Sequence, residues 1–263
     1  MSMMLHRAGI MSAPLFRGLL DLYPGAAAAY SLRVLRASWL SSAVVGVRRS
    51  SDNAESDFTA AEITDGTLTA WTGANDGFVV TWYDQSGNAK HATQATAGNQ
   101  PRIVNSGAVE LLFSRPAIKP SNSFLAVSSG PSVASIFSAA TPQAAGLVSA
   151  NIYYENRTNG IVYRSNALDS LTLSASSSPA LFSCIATGAA NPRSVMGWRN
   201  GVASSANPRS LNLLTNTDGL FARTISLNTP MSVPVSEIII YDSDQSASRA
   251  GIESNINSFY GIY

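Results

Sequence analysis

Gly77-Phe78-Val79-Val80-Thr81-Trp82-Tyr83-Asp84-Gln85-Ser86-Gly87-Asn88 is the stretch from which the fold of this chain can be read. Its first seven residues are mostly β-branched or aromatic, the types that fit a pleated and half-buried surface. It then stops in Asp84-Gln85-Ser86-Gly87-Asn88, a cluster of turn formers. Period-two geometry predicts that Phe78, Val80 and Trp82 share one face of a strand and Val79, Thr81 and Tyr83 the other. Upstream, Ala43-Val44-Val45-Gly46-Val47-Arg48-Arg49 reads as a strand closed by Ser50-Ser51-Asp52-Asn53. The residues between, with Glu55, Asp57, Glu62 and Asp65, read as a polar connection. From about Ile103 onward, short β-rich runs alternate with turn clusters, among them Ile152-Tyr153-Tyr154, Gly160 to Arg164 and Leu181 to Ile185. Asn200-Gly201 tolerates positive φ at both central turn positions and predicts a tight hairpin. Val235 to Tyr241 reads as a buried strand with Ile238 and Ile240 pointing into the core, and Ser248 to Ser258, with Ile252 and Ile256 four apart, as a closing helix. The Ala-rich run after Pro24-Gly25 predicts a helix from about Ala26 to Ala37. The expected fold is an all-β, two-sheet antiparallel jelly-roll sandwich with a short N-terminal helix and a short C-terminal helix.

Composition narrows the function classes. The chain has 263 residues, 45% hydrophobic and 13% charged, with a net charge of +1. One large sandwich with one core accommodates that length. The basic residues are scattered, so no stripe is available for a phosphate backbone and nucleic acid is not expected as a partner. The single cysteine, Cys184, excludes an intrachain disulfide framework and a thiolate metal cluster, and reads as a small buried hydrophobe in a strand. No stretch reaches the roughly 18 apolar residues of a membrane span, and residues 1–20 lack the pattern of a signal peptide. Residues 1–22 are nevertheless apolar, with Leu5, Ile10, Met11, Leu15, Phe16 and Leu19 among them. Gly9, Pro14 and Gly18 oppose one continuous helix there. The expectation is an N-terminal arm over 1–22, laid on another copy or another particle protein, with a segment folded back over its own core as the alternative, and a sandwich domain over 23–263.

The stretches AAYSLRVLR, VRRSSDN, WYDQSGNAKHATQ and NQPRIV, in that order, resemble the amino-terminal half of the α-L-arabinofuranosidase B catalytic domain. WRNGV and SEIIIYDSDQSASRAGIESNI are similar to the ending of the concanavalin A-like (laminin-G) superfamily. The resemblance implies the sandwich fold, in a group that includes glycosidases and non-catalytic modules of tailed-bacteriophage structural proteins and bacterial surface proteins. A retaining glycosidase needs two carboxyl groups roughly 5 Å apart across a cleft. By resemblance Asp218 lies near the position of the family's acid/base residue. The nearest candidate for the nucleophile is Glu155, whose neighbours Tyr153-Tyr154-Glu155-Asn156 do not match the family strand. The family's vicinal disulfide is impossible with one cysteine. No catalytic set is assigned.

The remaining candidates are binding residues. Trp82, Tyr83, Asp84 and Asn88, with Asp218, form a candidate glycan set, because aromatic faces stack on sugar rings and Asp and Asn supply oxygens. The alternative reading is a structural turn in which Asp84 and Asn88 bond the loop's own backbone and Gly87 supplies a permissive dihedral. Calcium wants six or more oxygens, and Asp84 is the one carboxylate in the motif. His6 and His91 are too few and too far apart for a zinc site or a triad. Neither a nucleophile elbow nor a phosphate loop occurs, and no cofactor is implied. Asn156-Arg157-Thr158 is a formal glycosylation sequon. The expected function is a non-catalytic virion component, a tail, fibre or head-decoration protein of a tailed bacteriophage. Its expected partners are other copies of itself, other virion proteins and a host-cell glycan. The alternatives are a carbohydrate-binding module of a bacterial surface protein and an arabinofuranosidase-like hydrolase.

Overall fold

The structure is a computed structural model that describes residues 15–128, 130, 132–141, 145–148, 152–157, 160–164, 170–173, 178–188, 193–204, 209–211, 219–221 and 231–263. Two large sheets are stacked, and all their strands pair antiparallel. The smaller sheet runs in the order β1 (Ala28–Ser31), Val235–Tyr241, Ser135–Ala140, Ala180–Thr187, Arg193–Arg199 and Val202–Ala203. In the larger sheet, four neighbouring strands matter most: β3 (Glu55–Thr59), β2 (Ala43–Arg49), β4 (Gly77–Trp82) and β5 (Ala92–Thr93), with Leu125–Val127 next to β5. The all-β sandwich expected from the strand pattern is present, and Cys184 is buried in Ala180–Thr187 as expected.

The smaller sheet is covered on both sides, which explains why its strands read as continuous apolar runs instead of alternating ones. Ile238 and Ile240 face the larger sheet and join the main core with Trp82 and Val79, as the sequence predicted. Ile239 and Tyr241 face the other way, into a second core closed by α4 (Arg249–Tyr260). That helix buries Ile252, Ile256 and Tyr260 against the sheet, and Glu253 on the same face accepts a hydrogen bond from Ser183. The predicted closing helix and the predicted Asn200-Gly201 hairpin both form, the latter with φ of 51° and 75° at its two central residues.

The helix expected over Ala26–Ala37 is not there. Ala28–Ser31 is instead a fully buried edge strand on Val235–Tyr241, with Tyr30 opposite Ile238. Ala28 and Tyr30 enter the main core while Ala29 enters the second one, so alanine is favoured here for its size and its helix propensity is overridden by burial. The short N-terminal helix is α1, Leu19–Leu22. Asp21 Oδ2 accepts from Gly18 N at 2.8 Å and from Ala37 N at 2.7 Å, which ties the helix start to the segment after β1. A Cβ on Gly18 would lie 2.2 Å from the Leu35 carbonyl oxygen, so this crossing requires glycine. Leu19 is therefore not an arm residue: it is completely buried in the second core against the domain's own helix layer. The helix α1 is part of the sandwich domain, because its apolar residues cover a sheet face that would otherwise meet water. Leu5, Ile10 and Met11 lie outside the described residues.

The strict alternation expected along β4 also fails. Gly46 pairs with Thr81 but Val47 pairs with Val79, so Val80 is the extra residue of a β-bulge. The bulge resets the face, and Val79 and Trp82, three residues apart, both point into the core while Phe78 and Val80 stay partly exposed. A row of inward side chains then crosses five strands: Phe58, Val45, Trp82, Ala92 and Val127. Residues 55–72, expected as a polar connection, contain β3 and the short helices α2 (Ala60–Thr64) and α3 (Thr67–Thr72). Thr59 caps α2, its hydroxyl accepting from Glu62 N while Glu62 accepts from Thr59 N.

Candidate functional site

The register that sends Phe58, Val45, Trp82, Ala92 and Val127 inward sends the neighbouring row outward. That row is Asp57, Gly46, Thr81, Thr93 and Ala126, each residue paired to the next across one strand boundary. At about 4.8 Å per strand it extends roughly 19 Å across the sheet. No member carries a long side chain, so the row forms a trough on the outer face. A cavity of about 410 Å³ occupies one end, lined by Glu55, Asp57, Gly46, Thr81 and Tyr83.

Tyr83 and Asp57 close that end. The Tyr83 hydroxyl donates to Asp57 Oδ1 at 2.9 Å, bridging β3 to the end of β4 across β2. Gly46, paired directly with Asp57, makes the bridge possible: a Cβ there would lie 2.8 Å from Asp57 Oδ1. Partial burial pushes the Tyr83 phenol up to about 12, and the hydrogen bond to Asp57 and its negative charge act in the same direction. His91 meets the Tyr83 ring edge-on at 5.1 Å and accepts from the Asp84 backbone N–H through Nδ1 at 3.1 Å. The arrangement offers what a sugar hydroxyl needs: a partly exposed ring, a carboxylate and a hydroxyl on a groove floor that permits close approach.

The candidate glycan residues are separated by the fold. Tyr83 lines the trough. Trp82 points the opposite way and is fully enclosed, with Phe221 stacked at 5.8 Å and Tyr30 at 5.7 Å, so its ring faces are unavailable to a sugar. Asp84 is also fully buried and uses both oxygens inside the fold. Oδ1 accepts from Ala29 N at 2.8 Å and Ser86 N at 2.9 Å, and Oδ2 from Ser86 Oγ at 2.7 Å and Lys90 N at 3.0 Å. Both oxygens face donors, which opposes a cation at Asp84. Gln85 continues the staple, accepting from Leu35 N and donating to the Ser31 and Arg33 carbonyls. Asn88 Nδ2 donates to the Ala26 and Ala27 carbonyls at 3.0 and 3.1 Å, and Gly87 adopts φ 96°. The turn therefore fastens β1 to β4, and Trp82, Asp84 and Asn88 have structural roles.

Asp218 lies outside the described residues, and Glu155 falls on the strand Ile152–Arg157. Among the described residues, no group of three or more His, Cys, Asp or Glu could hold a metal ion. No described helix is long and apolar enough to cross a membrane. The trough residues Asp57, Gly46, Thr81 and Thr93 were not singled out from sequence. The available signal was the spacing of Glu55 and Asp57, two acids on one face of a strand, which is hidden because Phe58 is the one large apolar residue of β3.

With strand order and outer face in place, the sandwich can be compared with known structures. It is similar in fold to GH54 α-L-arabinofuranosidases. A GH54 α-L-arabinofuranosidase soaked with a cyclic sulfate inhibitor superposes with a TM-score of 0.57 at 14% identity, covering 91% of this chain and 64% of that one. An arabinofuranosidase complexed with arabinofuranosyl-α-1,2-xylobiose gives a TM-score of 0.55 at the same identity and coverages. This chain thus spans 64% of the length of those structures, and at 14% identity the likeness is one of fold. No protein-family model matches the chain, and a search of curated proteins finds no match.

Proposed function

We propose that this chain is a non-catalytic glycan-binding sandwich whose binding surface is the outer trough of the larger sheet. The observation that carries the reading is the cross-strand row Asp57, Gly46, Thr81, Thr93, Ala126, walled at one end by the Tyr83–Asp57 bridge. Small and polar floor residues admit a sugar chain, and the aromatic wall supplies a stacking face with a polar tip. The fold shared with arabinofuranosidases supports a carbohydrate ligand. Glu55 and Asp57 lie two residues apart on one strand and point the same way, whereas a hydrolase needs its two carboxyl groups facing each other across the scissile bond.

The setting proposed for this activity is a virion, as a tail, fibre or head-decoration component, with a bacterial surface protein as the other setting.

The test is a panel of arabinan, xylan and bacterial surface oligosaccharides titrated onto the full chain, Tyr83→Ala and Thr81→Arg. A ligand should bind the parent chain, and both variants should lose it with melting temperatures unchanged. Full binding by Thr81→Arg, which fills the trough, would place the site elsewhere. Turnover of an aryl arabinofuranoside that vanishes in Asp218→Asn would establish a hydrolase instead.

A further inference from the structure

A separate cavity of about 400 Å³ lies on the helix side of the molecule, where Phe16, Arg17 and Leu40 meet Arg115, Asn255 and Phe259. Its volume is in the range of small-molecule sites. Two guanidinium groups pack on the Phe259 ring, those of Arg33 and Arg115, each 4.7 Å from its centroid. These two arginines differ in one respect. Arg33 is matched by Glu237 behind it, Nε to Oε2 at 2.8 Å and Nη2 to Oε1 at 3.0 Å, and Glu237 is fully buried. Arg115 is exposed and donates through Nε to the Phe259 carbonyl at 3.3 Å. Among the described residues neither Arg115 nor Arg17 has a carboxylate partner, and no Asp or Glu lines the cavity. Leu32, Val34, Ala60 and Pro116 make much of the remaining wall apolar, with Thr64 and Tyr260 contributing hydroxyl-bearing side chains.

We propose that this cavity binds a small apolar carboxylate, its hydrocarbon body against Leu40 and Pro116 and its carboxylate on Arg115. A guanidinium fork matches a carboxylate in two parallel hydrogen bonds, and the stack on Phe259 holds that fork in place. Charge selects the occupant. Residues 1–14 contain His6 and Arg7 and no carboxylate side chain, so that segment would bring positive charge to an uncompensated positive site. The site is independent of the trough on the larger sheet.

Calorimetric titration of the full chain with hexanoate, with hexanol as the neutral control, tests the proposal. Hexanoate should bind saturably and about tenfold or more tighter than hexanol, the difference expected of a charge-assisted contact. Arg115→Gln should weaken hexanoate about tenfold without lowering the melting temperature, since that side chain is exposed. Ala61→Phe narrows the cavity without altering a charge and should weaken both ligands. Equal affinity for hexanoate and hexanol, unchanged affinity in Arg115→Gln, or no saturable binding would each overturn the proposal. Binding that appears only after deletion of residues 1–14 would also overturn it, by assigning the cavity to the chain's own segment.

Discussion

Replacing Asp84 tests the reading of the Trp82-to-Asn88 turn as a staple. Asp84→Ala removes the acceptor for three backbone N–H groups and one hydroxyl. They are not equally costly to abandon. Ser86 and Lys90 are partly exposed, so their donors can turn to water, but Ala29 is completely buried in the second core and its N–H has no other outlet. One orphaned buried donor costs about 1 to 3 kcal/mol, and loss of the charge-assisted bonds around it brings the total to roughly 3 to 5 kcal/mol. For a domain of this size that lowers the melting temperature by roughly 6 to 20 °C, at about 2 to 4 °C per kcal/mol. Asp84→Asn keeps one oxygen for Ala29 and Ser86 and turns an amide NH₂ toward the Lys90 N–H, so it should cost about 1 to 3 kcal/mol. Urea denaturation of the three proteins at neutral pH reads these differences through the midpoint and slope. If Asp84→Asn is as damaging as Asp84→Ala, or if both lie within about 0.5 kcal/mol of the parent, the staple does not hold β1 to β4.

Three further outcomes follow from the same geometry. Trp82→Ala should cost about 3 to 5 kcal/mol by denaturant titration, since the ring is fully enclosed between Phe221 and Tyr30; intact stability with lost glycan binding would return Trp82 to the site. Leu19→Ala should cost about 2 to 5 kcal/mol in the isolated chain, because α1 covers the second core, and a neutral result would restore the arm reading for this residue. Burial raises the phenols of Tyr30, Tyr241 and Tyr260, with nearby carboxylates adding to the effect, and Tyr83 is pushed up to about 12. Unfolded tyrosine titrates near pH 10, so above that value the unfolded chain loses protons that the folded one keeps; stability is full below about pH 10 and falls as pH rises toward 12. A denaturation midpoint unchanged between about pH 9 and about pH 11.5 would contradict the burial of these rings.

Elements whose signals are local were legible in the residues. Strand β2, the extent of β4, the Asn200-Gly201 hairpin and α4 each carry their own period or turn chemistry, so pattern and structure agree. The turn reading of Asp84 and Asn88 was available for the same reason, because short polar side chains bond nearby backbone. What failed depended on partners far along the chain. Ala28–Ser31 has no period of two because both of its faces are buried, one against Ile238 and its neighbours and one under α1 and α4, and Ala-rich sequence then imitates a helix. The bulge at Val80 exists only relative to Gly46 and Val47 on β2, and it decides that Val79 and Trp82 share the core face. The trough has the same origin. Asp57, Gly46, Thr81, Thr93 and Ala126 are scattered over 81 positions (46 to 126), and become one surface only through four strand pairings. The sequence by itself determined the β class, the turn chemistry and the terminal helix, since those depend on neighbours within a few residues. Tertiary structure decided which aromatic is buried, which faces the trough and that α1 packs on the sandwich, because register and layer are properties of pairs of strands.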